Sequence, residues 1–148
     1  MQRKRLRNML LTIVACFSAI VQPGATSADT GKVSATGATP DLRISEFVFA
    51  TTNEKAVRVH VANTGGAASP LCILRLTVRK INGIPTGRIT EVKLPPLASG
   101  KDQWLVINAR GILPNNVSLV STTFKLNVDA TSIVRESDEA NNEVWHNL

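Results

Sequence analysis

Residues 118–129 read SLVSTTFKLNVD, and apolar and polar side chains alternate along them with a period of two. Successive side chains of a strand point to opposite faces of a sheet, so this pattern predicts a β-strand with one buried face. Because the alternation here is the clearest in the chain, we expect this strand to lie centrally in its sheet. The predicted inward set is Val120, Thr122, Phe124, Leu126 and Val128.

Six further short runs with a period of two lie on either side of this stretch, separated by Gly, Pro and Asn clusters. The predicted strands cover residues 42–49, 57–61, 72–80, 88–94, 103–107 and 142–148. No helix-period apolar stretch of useful length occurs outside the first 28 residues. Seven short strands predict an all-β fold, an antiparallel sandwich of the immunoglobulin or fibronectin III type.

Along the first predicted strand, the apolar residues change from even-numbered to odd-numbered positions. Leu42 and Ile44 alternate in one phase, whereas Phe47 and Phe49 alternate in the other. A shift of one residue moves every later side chain to the opposite face, so we expect a bulge or a change of sheet near residues 45–46.

The first 28 residues predict a secretory signal peptide. Residues 1–8 are cationic, residues 9–21 are almost entirely apolar, and residues 22–28 are small and turn-prone. That order is typical of an exported chain, here cleaved after Ala28, and the apolar run is short for a membrane span. We therefore expect a periplasmic, extracellular or cell-surface location.

A second processing route starts from residues 13–16. Their sequence, IVAC, resembles a bacterial lipobox, in which Cys16 is acylated and becomes the mature N-terminus. The apolar run continues past Cys16, whereas lipoprotein leaders usually stop being apolar there. The membrane would then be contacted through the leader alone or, on the second route, through a lipid anchor at Cys16.

Charge excludes nucleic acid as a partner. The chain has 17 Lys and Arg against 11 Asp and Glu, but residues 1–28 contain four of the basic residues and no acid, which leaves 13 against 11. A remainder so near neutrality lacks the dense basic face that phosphate binding needs. Residues 29–39 are small and polar and predict a flexible linker before a domain at residues 40–148.

Cysteine content excludes a disulfide within the mature chain. Once the leader is removed, Cys72 is the only cysteine. It shares a strand face with Leu74, and no base is evident that would lower its pKa, so we expect a buried, unreactive thiol.

Several short motifs resemble CARDB, the cell-adhesion-related domain found in bacteria. They occur in the family's order at residues 40–42, 57–65, 97–101, 128–129 and 136–142. The resemblance implies an exported immunoglobulin-like module without catalytic residues, in which the matching positions are structural. Those positions are Asp41, Asn63, Gly65, Gly100, Asp129, Glu136, Glu139, Asn141 and Asn142. In two turns the chain departs from the family, which often has Pro at Ser99 and Asn at Ser132.

The acidic C-terminal segment has two interpretations. Asp129, Glu136, Asp138 and Glu139 supply hard oxygen ligands that could suit Ca²⁺. Asp and Asn side chains also shape turns by accepting hydrogen bonds from backbone amides, and the EF-hand spacing is absent. We expect no cofactor, with Ca²⁺ at this segment as the alternative.

The histidines do not predict a catalytic or metal site. His60 is out of phase with Val59 and Val61, and His146 lies near the terminus, so we expect both on the surface. No Gly-x-Ser-x-Gly motif and no phosphate-binding glycine loop occurs in the sequence. The chain is therefore predicted not to be an enzyme.

The two tryptophans are the residues large enough to anchor a partner. Trp104 is in phase with Val106 and is expected to be buried, whereas the alternation around Trp145 does not settle its side. An exposed Trp145 beside Asn147 and His60 would offer a stacking site for a sugar or a peptide.

These observations favour a monomeric, exported, non-enzymatic module that binds or adheres to a protein or glycan of the cell envelope. The alternative is a structural spacer or periplasmic accessory subunit that pairs through a sheet edge. A small hydrolase is the third hypothesis, and the missing site chemistry disfavours it.

Overall fold

A computed structural model describes residues 38–50 and 54–148 of the chain. The predicted leader, Cys16 and residues 29–37 of the predicted linker lie outside the described residues. Within the described ranges the strands are β1 (Leu42–Phe49), β2 (Ala56–Asn63), β3 (Cys72–Ile81), β4 (Ile84–Leu94), β5 (Asp102–Asn108), β6 (Thr122–Asn127) and β7 (Glu143–His146).

The strands form two antiparallel sheets. The first has the order β1-β2-β5, and the second has the order β4-β3-β6-β7. The prediction of an all-β, seven-stranded antiparallel sandwich is confirmed, with β6 inside the larger sheet as expected. The strand order assigns β1, β5, β4 and β7 to the four sheet edges.

The core lies between the two sheets. Alternate residues of each central strand point inward, as the period-two pattern predicts. Burial of these side chains is the main source of folding free energy, at roughly 25 cal/mol per Å² of apolar surface removed from water. The fully buried set includes Leu42, Val57, Val59, Val61, Leu74, Leu76, Val78, Ile107, Phe124 and Leu126.

The predicted bulge in β1 is confirmed. The pairing with β2 shifts register between Ile44 and Glu46, and the later part of the strand changes phase. Phe47 and Phe49 therefore turn toward the core, where their ring centroids lie 5.6 Å and 6.1 Å from that of Phe124.

The beginning of the stretch at 118–129 differs from prediction. Residues Leu119–Ser121 form a short 3-10 turn, in which the Ser118 hydroxyl accepts a hydrogen bond from the Val120 amide. The turn buries Leu119 and leaves Val120 47% exposed. The prediction that Val120 points inward is therefore wrong. Its amide donates to the Ser118 side chain and not to a neighbouring strand, so the strand begins only after this point.

The bounds of β4 and β7 also differ from those predicted. β4 begins at Ile84, four residues early, because Asn82 and Gly83 both adopt positive φ angles and close a tight hairpin from β3. β7 covers only Glu143–His146. Within the described residues no helix has the length and apolar character that a membrane span requires.

Candidate functional site

Trp104 lies on the outer face of the three-stranded sheet. Its neighbour Leu105 pairs with the buried Val59 and points into the core, so Trp104 and Val106 point outward. Trp104 is 37% exposed, and the prediction that it is buried is wrong. The sequence is ambiguous here because both faces of β5 carry apolar side chains, and only the pairing with β2 decides between them.

Trp104 contacts two side chains of the neighbouring strand. His60 is its cross-strand partner, and the two rings are stacked at 4.8 Å with an interplanar angle of 16°. The guanidinium carbon of Arg58 lies 4.9 Å from the centroid of the indole. Such stacked and cation–π contacts each contribute about 0.5–1 kcal/mol at an exposed site.

Both nitrogens of the His60 ring have hydrogen-bond partners. Ser45 Oγ lies 2.8 Å from Nδ1, and Asp102 Oδ2 lies 2.7 Å from Nε2. Ser45 is the bulge residue, and the bulge directs its side chain toward β2. These contacts fix the plane of the imidazole against Trp104. We call Ser45, Arg58, His60, Asp102 and Trp104 the Trp104 cluster.

The Trp104 cluster contains the three residue types of a serine-hydrolase triad, but their geometry differs. In such hydrolases the serine contacts Nε2 and the acid contacts Nδ1, whereas here the order is reversed. The Ser45 hydroxyl also donates to the carbonyl of His60 at 3.2 Å, and the group lies on an open sheet face. The arrangement is suited to orienting the imidazole.

A row of apolar side chains borders the Trp104 cluster. Across the three strands Val48 pairs with Arg58, and Arg58 pairs with Val106. The two valines are 42% and 58% exposed. Arg58 therefore lies between two exposed apolar side chains.

Trp145 lies on the outer face of the other sheet. It is 45% exposed, and its cross-strand partner Lys125 has its ammonium 5.7 Å from the ring centroid. Trp145 is therefore not beside His60, so the shared stacking site that the sequence suggested does not form. Cross-strand pairing continues the row from Lys125 through Thr77 to Ile89.

His60 points to the outer face of the smaller sheet, whereas His146 points to the inner face of the larger sheet. His60 is on an outer face, as predicted. His146 turns inward, with its ring centroid 5.2 Å from that of Phe49 and 5.0 Å from that of Phe124. The prediction of a surface position is therefore wrong for His146, since β7 pairs it with the buried Phe124.

All four candidate Ca²⁺ ligands accept hydrogen bonds from backbone amides, Glu136 from that of Leu42. Asp129 accepts from Val134 at 2.9 Å, Asp138 accepts from Ala140 at 2.9 Å, and Glu139 accepts from Glu136 at 3.1 Å. Within residues 38–50 and 54–148, no three His, Cys, Asp or Glu side chains are grouped so that they could hold a metal ion. In the structure these carboxylates therefore serve the turns, as the second interpretation of the segment expects.

Glu136 connects the C-terminal segment to the start of β1. Its Oε2 accepts from the Leu42 amide at 2.9 Å and, with the Asn142 amide nitrogen turned toward it, from Asn142 at 3.1 Å. Oε1 is buried without a hydrogen-bond partner. Burial raises the pKa of the Glu136 carboxyl to about 7, and the nearby Glu139 carboxylate adds to the effect.

Other positions that match the family pattern gather at the same end of the sandwich. Asn63 Oδ1 accepts from the amides of Asp41 and Gly65, both at 3.1 Å, and Nδ2 donates to the carbonyls of Ala67 and Leu97 at 2.8 Å and 2.9 Å. These four hydrogen bonds use the full capacity of the side-chain amide.

Two further contacts complete this assembly. The Gly100 amide donates to the carbonyl of Asn63 at 2.9 Å, and Asn141 Nδ2 donates to Asp41 Oδ1 at 2.8 Å. We call the hydrogen-bonded residues Asp41, Asn63, Gly65, Gly100, Glu136, Asn141 and Asn142 the polar junction. It ties the start of β1 to the end of β2, the β4–β5 loop and the C-terminal segment.

Cys72 is fully buried at the start of β3, as the sequence predicts. Burial raises the pKa of its thiol to about 11; a hydrogen bond with the Asp129 backbone partly opposes this, and the carboxylates of Asp129 and Glu136 add to the rise. A thiol so far from ionisation at neutral pH is a poor nucleophile.

The sequence matches the CARDB family profile over residues 39–145. Among curated proteins no match was found. A crystal structure of a CARDB domain from Pyrococcus furiosus, in complex with di-metal ions, is 20% identical, covers 74% of this chain and 92% of that one, and gives a TM-score of 0.49.

A solution NMR structure is also similar. It is a domain of a candidate cell surface protein from Methanosarcina acetivorans, 21% identical, covering 72% of this chain and 88% of that one, with a TM-score of 0.54. This similarity supports the fold of the described domain.

Proposed function

The chain belongs to the CARDB family, and from that membership we propose that it is an exported, non-enzymatic β-sandwich module that binds a protein or glycan at the cell envelope. The observation that carries the proposal is the exposed Trp104, which His60 and Arg58 hold in place on a sheet face. Tryptophan and arginine are the side chains that most often dominate binding energy at interfaces. The similarity to a domain of a candidate cell surface protein supports an envelope location.

A binding role is also consistent with how the titratable groups are used. The buried Glu136 and Asp129 carboxylates accept hydrogen bonds within the polar junction and the adjoining turn. Ser45 and Asp102 are exposed, and their hydrogen bonds to His60 have the reverse of the order found in a hydrolase triad. Catalysis therefore has no support from the described geometry.

Affinity capture from an envelope fraction tests the proposal. The full chain, a Trp104→Ser variant and an Ile133→Ser variant are immobilised, and retained components are quantified. Ile133 is 60% exposed outside the strands, so its replacement removes similar apolar exposure away from the Trp104 cluster. We expect a component that the wild type and Ile133→Ser retain and Trp104→Ser loses at least tenfold. Equal retention by all three would contradict a binding role for this face.

Edge pairing is the second candidate function, and β4 is the strand that favours it. β4 is an 11-residue edge strand with Ile84 70% and Ile89 49% exposed. Its middle is partly covered, because Arg88 and Thr90 donate to carbonyls of Ile112 and Asn108 beside the other sheet. We therefore propose a monomer. Sedimentation velocity over a hundredfold concentration range checks this, and a dimer abolished by Ile84→Lys would favour pairing instead.

A further inference from the structure

Arg58 has unused binding capacity in an exposed position. Among residues 38–50 and 54–148 no carboxylate lies within ion-pair distance of its guanidinium, whereas Arg75 pairs with Glu91 and Lys125 pairs with Glu143. The guanidinium carbon of Arg58 lies over the Trp104 ring, 4.9 Å from its centroid. A guanidinium held over an aromatic ring still presents several N–H donors at its edge, in a geometry that matches a carboxylate.

The neighbours of Arg58 favour a partner with apolar groups beside its charge. Val48 and Val106 lie directly opposite it on the two flanking strands, so apolar surface borders the cation on both sides. The carboxylates of this face lie in other rows: Glu46 pairs across from His60, and Asp102 pairs across from Ala62. A partner carboxylate that pairs with Arg58 therefore does not lie in the same row as the Glu46 or the Asp102 carboxylate.

Two side chains of β2 already contact the Trp104 indole. The imidazole of His60 is nearly parallel to the indole at 4.8 Å, and the Arg58 guanidinium lies over it at 4.9 Å. A pyranose ring that stacked on the part of the indole contacted by β2 would have to displace one of these groups. Ser45 and Asp102 hold the imidazole in place, which makes such displacement costly.

From these contacts we propose that the Val48–Arg58–Val106 row and the edge of Trp104 bind a protein segment that presents a carboxylate side chain between apolar side chains. The inference rests on the binding function proposed above and assigns its site and the chemistry of its partner. The carboxylate pairs with Arg58, and the apolar neighbours cover Val48, Val106 and the exposed part of Trp104. Charge pairing and apolar burial together give the specificity.

NMR titration of the full-length ¹⁵N-labelled chain tests this directly, because the protein has two tryptophans and thus two indole N–H signals, which report on opposite sheets. The probes are the peptide acetyl-Val-Glu-Val-Glu-Val-amide, its Gln counterpart and chitohexaose. Three proteins are compared: the wild type, Arg58→Gln and Arg43→Gln. Arg43 lies on the same outer face in the Ala62 row, so its replacement is a matched loss of charge.

We expect the Glu peptide to shift the Trp104 indole signal and leave the Trp145 signal in place. The Gln peptide should bind at least fivefold more weakly. Arg58→Gln should abolish the shift while Arg43→Gln retains it, and an unchanged Trp145 signal verifies that each variant is folded. Equal binding of the two peptides, or retention of binding by Arg58→Gln, would overturn the proposal.

The remaining outcomes separate this inference from the broader function. A Trp104 shift with chitohexaose and none with the Glu peptide would assign a glycan to the face, which overturns the inference and leaves a binding module. No shift with any probe, together with envelope capture that Arg58→Gln does not weaken, would also overturn the inference alone. Failure of envelope capture by the wild type would overturn the broader function.

Discussion

Ser132 is the residue whose backbone conformation is least suited to its side chain. Its φ of 51° lies in the left-handed region, which Asn tolerates better than Ser. We expect Ser132→Asn to raise the free energy of unfolding by up to about 1 kcal/mol. Ser137→Asn is the control, since Ser137 is also exposed and has no positive φ. Urea denaturation of both variants measures the difference, and equal effects would contradict the backbone explanation.

Glu136 makes stability depend on pH. Its folded-state pKa of about 7 exceeds the ordinary 4.5, so between these values the folded chain keeps a proton that the unfolded chain releases. The stabilisation is complete below pH 4.5 and is lost as pH rises through 7. The corresponding change in unfolding free energy is about 3 to 4 kcal/mol at most, by the conversion of one pKa unit to 1.4 kcal/mol.

Glu136→Gln should remove this pH dependence, because the amide keeps an acceptor for the Leu42 N–H and carries no charge. We expect the variant to be more stable than the wild type at pH 8 and similar at pH 4.5. Denaturant midpoints at both pH values, with Asp138→Asn as an exposed control, measure the effect. A wild-type slope that persists in Glu136→Gln would assign the pH dependence to another group.

The polar junction depends on close approach of two chain segments at Gly65. A Cβ at Gly65 would lie within 2.5 Å of backbone atoms of residues 39–41 at the start of β1, so those segments would have to move apart. We expect Gly65→Ala to cost about 1–3 kcal/mol or more. Gly87→Ala in β4 meets nothing within 4 Å and is the matched control. Thermal melting compares them, and an equal midpoint for both would contradict the tight junction.

At the scale of elements, the buried strands could be predicted because one face is apolar and the other polar. β2 and β3 follow this rule, and so does the bulge in β1, where the change of parity is visible in the sequence. β5 could not be assigned in this way, since Trp104 and Val106 alternate with Leu105 and Ile107 and both sets are apolar. Its orientation follows from pairing with β2.

The Trp104 cluster could not be predicted from the sequence, for a related reason. Its members come from three strands, and only the register of β1, β2 and β5 brings them together. A usable signal was present: Arg58 and His60 share the outward face of β2, and Asp102 and Trp104 are two residues apart on β5. The 3-10 turn at Leu119 was likewise hidden, because the contact of its amide with the Glu54 carbonyl is distant in sequence.

At the scale of the whole molecule, the polar junction and the outer face of the smaller sheet have different roles. The polar junction secures the sandwich through buried hydrogen bonds, and the outer face of the smaller sheet is left available for binding. The family match and the positions of the matching residues account for the first, since these residues contact one another.

Hydroxyl-radical footprinting of the full chain, with and without envelope extract, tests the central claim most directly. We expect protection of Trp104, Val106 and Val48, while Trp145 and Ile84 remain as reactive as in the free protein. Protection confined to Ile84 and Ile89 would assign binding to the β4 edge, and that result, or no protection at all, would contradict binding at the face that carries Trp104.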